Sequence, residues 1–178
     1  LDILFFRLTS WLAPILVFTS EEVWLERFEN AETSIHLQDM PYTPSDWSKP
    51  ELAKKWDAIK GVRKVVNGAI EIHRQNKVIG SSLEASPKVF VEDKKMHQLI
   101  CSIDFAEVCI TSSIELELGS ITDEMFKMQE VENVGVIFQM ASGEKCQRCW
   151  KYSENIGKDK RYNDVCGRCA ESLLNRED

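Results

Sequence analysis

Four cysteines near the end of the chain have the type and spacing needed to bind one metal ion. Cys146 stands three positions before Cys149, Cys166 stands three positions before Cys169, and sixteen residues separate the two pairs. In this pattern each pair forms a tight turn, and the two turns hold one tetrahedral zinc ion at Zn–S distances of about 2.3 Å. Four protein sulfurs leave no coordination position for a catalytic water. We therefore predict one structural zinc ion bound by all four cysteines.

Two disulfides or two redox pairs are the alternative interpretations of these cysteines. A thioredoxin-like dithiol site needs a strand and a helix around one pair, whereas this chain has two equivalent pairs with charged residues between them. The other two cysteines, Cys101 and Cys109, lie in apolar segments, as core cysteines do in proteins of a reducing compartment. The cysteine usage thus favours a cytoplasmic zinc protein.

Positive charge is concentrated in two segments of an acidic chain. The formal net charge is -7, yet residues 52–79 carry seven basic and two acidic side chains, and residues 145–168 carry seven basic and three acidic ones. Because phosphate neutralisation supplies most sequence-independent affinity for nucleic acids, these segments are the candidates for RNA contact. The predicted RNA-binding residues are Lys60, Arg63, Lys64, Arg74 and Lys77 in the first segment, and Arg148, Trp150, Lys151, Lys158, Lys160, Arg161 and Arg168 in the second.

Each segment also has a plainer interpretation. The charged face of the first segment can simply be solvated, with Arg63 and Arg74 extending along the apolar stripe. In the second segment, Trp150 can stack on an unpaired RNA base, or it can cover the zinc site. The sequence leaves both alternatives open.

The first half of the chain reads as helical. Residues 1–12 are apolar almost all round, as in a helix buried within a bundle. A hydroxyl at Thr19 three positions before Glu22 predicts a capping box at the start of a second helix that ends near Phe28. Apolar residues recur every three or four positions from Leu52 to about residue 77, which predicts a long helix that ends at Gly80.

The pattern changes to strands after this helix. Alternating or β-branched segments predict strands at 87–92, 106–111, 114–118 and 134–140, with a short helix at 94–100. We expect an α+β protein with three parts: the end of a helical domain at 1–85, a small mixed α/β unit at 86–141, and a zinc module at 142–178. Ser34–Leu37 is expected to be a short extended piece.

Motifs for catalysis and for membrane insertion are missing from the sequence. It contains no glycine-rich phosphate loop, no serine elbow and no run of apolar residues long enough to span a membrane. The chain starts within an apolar helical pattern, without a leader, so we expect it to be a piece of a longer protein. By itself the piece is expected to carry out no catalysis.

Several stretches together resemble the C-terminal end of bacterial-type isoleucyl-tRNA synthetases. The most discriminating one reads Lys-Val-Ile-Gly-Ser-Ser-Leu-Glu-Ala at 77–85. The others contain the two cysteine pairs or lie in the helical first part of the chain. The stretches that carry the resemblance are residues 12–16, 18–24, 34–37, 76–85, 143–150 and 165–169.

This resemblance implies a cytoplasmic, monomeric ligase that joins isoleucine to its tRNA with ATP and edits misacylated product in a separate domain. The nucleotide-binding signatures of such enzymes, His-Ile-Gly-His and Lys-Met-Ser-Lys-Ser, are absent here, so ATP is expected only in the full-length enzyme. The implied role of this region is to hold tRNA. Its helices would end the anticodon-binding bundle, its zinc module would lie on the anticodon loop, and Arg148 and Trp150 would contact the anticodon.

Two other functions remain possible from the sequence. The zinc module can be a structural ribbon that stabilises the chain or a protein contact and touches no RNA. It can also be a DNA-binding module of the kind that closes some DNA glycosylases. The latter would need a catalytic amine or acid and an upstream helix-two-turn-helix region, and we find neither in this sequence.

Overall fold

The computed structural model describes residues 1–28 and 33–175, which form six α-helices and six strands. No helix in this described part is long and apolar enough to cross a lipid bilayer. The contacts divide the chain into two compact units, Leu1–Lys49 and Pro50–Asp178. The helices are α1 Asp2–Leu12, α2 Val17–Arg27, α3 Pro50–Gln75, α4 Lys94–Cys101, α5 Phe105–Cys109 and α6 Gly167–Leu174, and the strands are β1 Lys88–Val91, β2 Glu115–Leu118, β3 Phe126–Met128, β4 Val131–Ile137, β5 Glu144–Lys145 and β6 Tyr152–Ser153.

The first unit is held together by an aromatic cluster around Trp24. This residue is 4% exposed, and its ring centroid lies 4.5 Å from that of Phe28 and 5.7 Å from that of Phe6. The indole N–H donates a hydrogen bond to the carbonyl of Thr33, so the one polar atom of the buried ring is satisfied. Helices α1 and α2 also expose many large apolar side chains, among them Leu8 and Phe18.

Two local predictions in this unit are wrong. Helix α2 begins at Val17 without a side-chain cap, so Thr19 and Glu22 form no capping box. Ser34–Leu37 is not extended, because Ile35–Leu37 is a 3-10 helix that Ser34 caps. The carboxylate of Glu21 explains the difference, since it accepts hydrogen bonds from the Ser34 hydroxyl at 2.9 Å and from the Ile35 amide at 3.0 Å and so holds the short helix against α2.

The second unit is built on a four-stranded mixed sheet covered by helix α3. The strand order is β2-β1-β4-β3, with β1 and β2 parallel and the other pairs antiparallel. Helices α4 and α5 form the crossover between the two parallel strands. Helix α3 buries Val62 and Val66 in the same core as Val89 and Val136 of the sheet. The predicted α+β class is therefore confirmed.

The long predicted helix exists, but it ends five residues before Gly80. Helix α3 stops at Gln75, and Lys77 adopts the left-handed conformation with φ 58°. The amide of Lys77 donates to the carbonyl of Arg74, and the amide of Val78 donates to that of His73, so the last helical carbonyls are satisfied without a glycine. A capping box that the sequence analysis did not predict is formed by Ser81 and Glu84.

The strand predicted at 106–111 is wrong, because these residues belong mainly to helix α5. The side chain of Asp104 caps the helix by accepting a hydrogen bond from the amide of Glu107 at 3.1 Å. Phe105 and Cys109 lie one turn apart on the same face of the helix, and both are buried. Ile110 ends the helix in the left-handed conformation, with φ 58°. Burial of the i and i+4 positions thus overrides the β propensity of the segment.

The contacts do not divide the chain at the predicted boundary after residue 85. They divide it before α3, because the apolar face of α3 packs on the sheet of the second unit. The division into parts 1–85, 86–141 and 142–178 stays a prediction, and the last three residues of the third part lie outside the described chain.

Candidate metal centre and nucleic-acid interface

A short hairpin and the start of helix α6 bring the four cysteines together. Cys146 and Cys149 lie in the turn between strands β5 and β6, which pair Lys145 with Tyr152. Cys166 stands at the N-cap position of helix α6, and Cys169 lies in the first turn of that helix. The two pairs therefore reach the site from two different elements, the hairpin turn and the start of α6.

The sulfur positions fit one tetrahedral zinc ion. The four Sγ atoms all lie within 4.8 Å of one another, and those of Cys149 and Cys166 are 3.7 Å apart. Four sulfurs at about 2.3 Å from a common centre would be about 3.8 Å apart. None of the four forms a disulfide. The donor set is thus that of a closed, structural zinc site, and the predicted cofactor is confirmed.

Hydrogen bonds from backbone amides stabilise the thiolate form of Cys146. The Sγ of Cys146 accepts hydrogen bonds from the amides of Cys166 at 3.3 Å and Cys149 at 3.5 Å. Burial acts to raise the pKa of Cys146, but these and the Arg148 amide lower it to about 6. Burial raises the pKa of Cys166 to about 12. Burial thus opposes the thiolate form at Cys166, although zinc binding needs thiolates. A zinc ion would supply the positive charge that stabilises all four thiolates together.

Gly143 is required where the hairpin begins. Its φ is +86°, and a Cβ at this position would lie 2.3 Å from the carbonyl carbon of Ser153 and 2.6 Å from the amide of Glu154. Both neighbours are backbone atoms of the opposite strand and cannot rotate away. Replacing Gly143 by Ala should therefore destabilise the hairpin by more than about 1 kcal/mol and weaken zinc binding, which urea unfolding and zinc competition would measure.

Gly167 offers the matched control. A Cβ at Gly167 meets no heavy atom within 4 Å, and alanine is favourable within a helix. Gly167→Ala should leave both the unfolding midpoint and the zinc affinity at or slightly above the original values. If Gly143→Ala behaves like Gly167→Ala, the close approach of the two hairpin backbones is not a constraint on the zinc module.

Trp150 is held in an exposed position directly after the first cysteine pair. It is 60% exposed and adopts φ 66°, and its amide donates to the carbonyl of Cys146 at 2.9 Å. The ammonium of Lys145 lies 5.2 Å from the ring centroid. An exposed aromatic ring with a cation beside it can stack on an unpaired base.

The arginine within the first pair faces the sulfur cluster. One guanidinium nitrogen of Arg148 lies 3.5 Å from the Sγ of Cys169, at hydrogen-bond distance for sulfur. A cation beside a four-thiolate site offsets part of its excess negative charge. In this arrangement Arg148 supports the metal centre, and its predicted contact with RNA stays a prediction.

Two further predicted RNA-binding cations are paired with Glu107, a residue that the sequence analysis did not single out. The carboxylate of Glu107 accepts hydrogen bonds from Lys151 at 2.7 Å and from Arg168 at 2.8 Å. The bond from Lys151 lowers the pKa of Glu107 despite partial burial, with a smaller contribution from Arg168. Through this ion pair Lys151, whose side chain is only 19% exposed, joins the zinc module to helix α5. Glu107 stands in an acidic stretch, and no sequence pattern marks it.

The remaining cations of the zinc module lie in the loop between the two cysteine pairs. Arg161 pairs with Asp159, whereas Lys158 and Lys160 are exposed and form no ion pair with any part of the chain that the structure describes. With Trp150, these two lysines are the predicted RNA-binding side chains of the module that remain available to a ligand.

On helix α3, most of the predicted RNA-binding cations also have a carboxylate partner. Lys60 pairs with Asp57, and Arg74 pairs with Glu71. Lys64 pairs with Glu130, in the turn between β3 and β4, and exposed Lys77 follows the helix. The exception among these residues of the helix is Arg63, which is half-buried and forms no ion pair or hydrogen bond within residues 1–28 and 33–175.

Two family models match this chain. Residues 1–89, half of the chain, match the model described as the anticodon-binding domain of tRNA ligase. Residues 143–171 match the model described as the zinc finger found in FPG and IleRS. The second match covers all four cysteines of the sulfur cluster.

Curated relatives align with nearly the whole chain. An isoleucine–tRNA ligase of Ruegeria pomeroyi is 50% identical over 97% of this chain and 18% of that protein. The same enzyme of Brucella abortus is 43% identical over 96% of this chain and 17% of its own length, and that of Bartonella henselae is 44% identical over the same shares. The chain thus spans less than a fifth of the length of these relatives.

Proposed function

The chain belongs to the family that carries the anticodon-binding domain of tRNA ligases, and we propose that it is the tRNA-binding C-terminal region of an isoleucine–tRNA ligase. The observation that carries this proposal is the alignment of nearly the whole chain with isoleucine–tRNA ligases, through both the anticodon-binding domain and the zinc finger. The ligation of isoleucine to tRNA with ATP, and the binding of both small substrates, belong in this proposal to other parts of a longer, monomeric cytoplasmic enzyme.

Within this region the zinc module contacts the anticodon loop. Cys146, Cys149, Cys166 and Cys169 bind the zinc ion, and the ion fixes the turn that exposes Trp150. The exposed ring offers a stacking surface for a base, and Lys158 and Lys160 offer charge to phosphates. The module acts through shape and charge and takes no part in bond formation.

The exposed apolar side chains of α1 and α2 form a contact surface for the rest of the enzyme. Leu8, Leu12, Leu16 and Val23 line one shallow apolar groove on these helices. Exposed apolar surface of this kind is characteristic of a helix that packs on further helices. In our proposal the preceding helices of the anticodon-binding domain cover this groove.

One observation favours a purely structural zinc ribbon as the second candidate. Arg148, Lys151 and Arg168 all face partners within the second unit, namely Cys169 and Glu107. These contacts would serve a module whose only task is to stabilise the chain. A DNA-binding role is less favoured, because half of the chain matches an anticodon-binding domain.

Anticodon-dependent binding separates the two candidates. We would titrate the longer ligase with two tRNA transcripts that differ only in carrying an isoleucine or a valine anticodon, at two salt concentrations. Hydrogen exchange of residues 143–171 would be measured with and without each transcript. We expect tighter binding of the isoleucine anticodon and slower exchange in the zinc module. Binding that ignores the anticodon, or unchanged exchange in this segment, would favour the structural ribbon.

A further inference from the structure

A small cleft lies beside helix α3, opposite the end of helix α5. One wall is a stripe of α3 in which Arg63, Asn67 and Arg74 follow one another at helical spacing, and the other includes Ser82 and Cys109. The cleft has a volume of about 160 Å³ and is open to solvent on one side. Its size and access suit one small polar group.

Arg63 is a cation without an acceptor at this cleft. Its Nε atom is buried and has no hydrogen-bond partner, and no carboxylate in the described chain pairs with its guanidinium. A buried donor on a charged group costs free energy when it is left unsatisfied. The neighbouring cations of α3 do not share this feature, since Lys60, Lys64 and Arg74 each pair with an acid. An anionic or strongly polar acceptor from outside the described residues would supply a partner for the Arg63 guanidinium at this cleft.

The other residues of the cleft suit an anion that carries a single charge. Arg74 and Glu71 pair at 3.4 Å and cancel each other, which leaves the lining with the one net positive charge of Arg63. Burial raises the pKa of the Cys109 thiol to about 12, so it adds no negative charge near pH 7. Asn67 and Ser82 can donate neutral hydrogen bonds. A guanidinium with neutral donors around it matches the oxygens of a phosphodiester.

Helix α5 also connects this cleft with the zinc module. Its Glu107 contacts Lys151 and Arg168 of the module, and its last residue, Cys109, lines the cleft. The same short helix thus contacts the zinc module on one side and lines the cleft on the other.

We propose that the Arg63 cleft binds one phosphodiester group of the tRNA, with the Arg63 guanidinium as its principal donor. The proposal rests on the proposed function, because the phosphate belongs to the RNA that the zinc module contacts. It assigns Arg63 a different role from Lys60, Lys64 and Arg74 on the same helix, which each pair with an acid of the chain.

The salt dependence of tRNA binding tests this site. Each neutralised phosphate contributes roughly 0.7 to 0.9 to the slope of log K against log salt concentration. In the longer ligase, Arg63→Gln should weaken tRNA binding at low salt and reduce the slope by about one, whereas Arg63→Lys should retain the slope. Lys54→Gln is the matched control, since Lys54 lies on the same helix, is exposed and pairs with Glu51. This control should leave the slope unchanged.

A second measurement covers the case in which Arg63→Gln does not fold. Inorganic phosphate should shift the Nε–H resonance of Arg63 in the unmutated protein, while chloride at equal ionic strength should not. An unchanged slope in a folded Arg63→Gln variant, or an unresponsive Arg63 resonance, would overturn the site alone. Absence of any tRNA binding by the unmutated ligase would overturn the proposed function and this inference together.

Discussion

Replacing Cys146 by serine is expected to release the zinc ion and unfold the segment around it. The Cys146 sulfur is fully buried and accepts two backbone hydrogen bonds in addition to its place in the metal site. Structural zinc supplies about 10 to 16 kcal/mol to small zinc modules, which have little other core. The buried cluster of this module consists mainly of the ligands themselves, with Val165 and Ala170. Zinc content should fall from one equivalent to near zero, and amide protection should disappear between residues 143 and 174.

Cys101 provides the control for this substitution. Contrary to the core position expected from the sequence, it is an exposed free cysteine on helix α4, and it lies outside the sulfur cluster. Cys101→Ser should retain one zinc equivalent and the original pattern of amide protection. A Cys146→Ser variant with full zinc content and an ordered hairpin would show that this sulfur is not a ligand.

Replacing Trp150 by alanine is expected to weaken tRNA binding by about 1 to 3 kcal/mol, the cost of losing one stacked base. The zinc content should not change, because the side chain is 60% exposed and the Trp150 amide would still reach the Cys146 carbonyl. Trp150→Phe should recover most of the affinity, since a smaller ring can still stack. Binding and zinc content would be measured on the same preparations of the longer ligase.

Trp56 serves as the comparison for Trp150. It is a partly exposed tryptophan on helix α3 and has no proposed role in RNA binding. Trp56→Ala should leave tRNA affinity unchanged. If Trp150→Ala binds tRNA as tightly as the unmutated protein, or if it loses zinc, the ring covers the metal site and does not stack on RNA.

The metal centre could be predicted from the sequence because its ligands are close together along the chain. Each cysteine pair lies within one tight turn, so local spacing alone determines how both sulfurs reach one ion. The long helix α3 could be predicted as well, because its apolar residues recur at helical spacing over about seven turns. The site and the helix thus depend on short-range regularities that a single sequence displays.

The errors arise where tertiary contacts decide local structure. Residues 106–111 have strand-forming side chains, but burial of Phe105 and Cys109 against the core favours a helix. Strand β3 was missed because its segment, Phe126–Met128, is only three residues long, too short for its alternation to stand out, and it is ordered by pairing with β4. Neither outcome follows from local propensity.

The charge pattern was informative about segments and not about individual residues. The sequence identifies two basic segments, but it does not indicate which cations are neutralised. Lys151 and Arg168 pair with Glu107, more than forty positions from Lys151 along the chain, whereas Arg63 pairs with no carboxylate of the described residues. Such long-range pairing depends on the fold. The sequence alone therefore does not show which basic residues stay unpaired and available to bind RNA.

The central claim is that one zinc ion holds the four cysteines and thereby orders the surface that contacts RNA. The most direct measurement is the metal content of the purified chain, combined with amide exchange of residues 143–174 before and after chelation. We predict one zinc ion per chain, protected amides in the loaded form, and loss of that protection when a chelator removes the ion. A chain without stoichiometric metal, whose cysteine segment is nevertheless ordered, would contradict the claim.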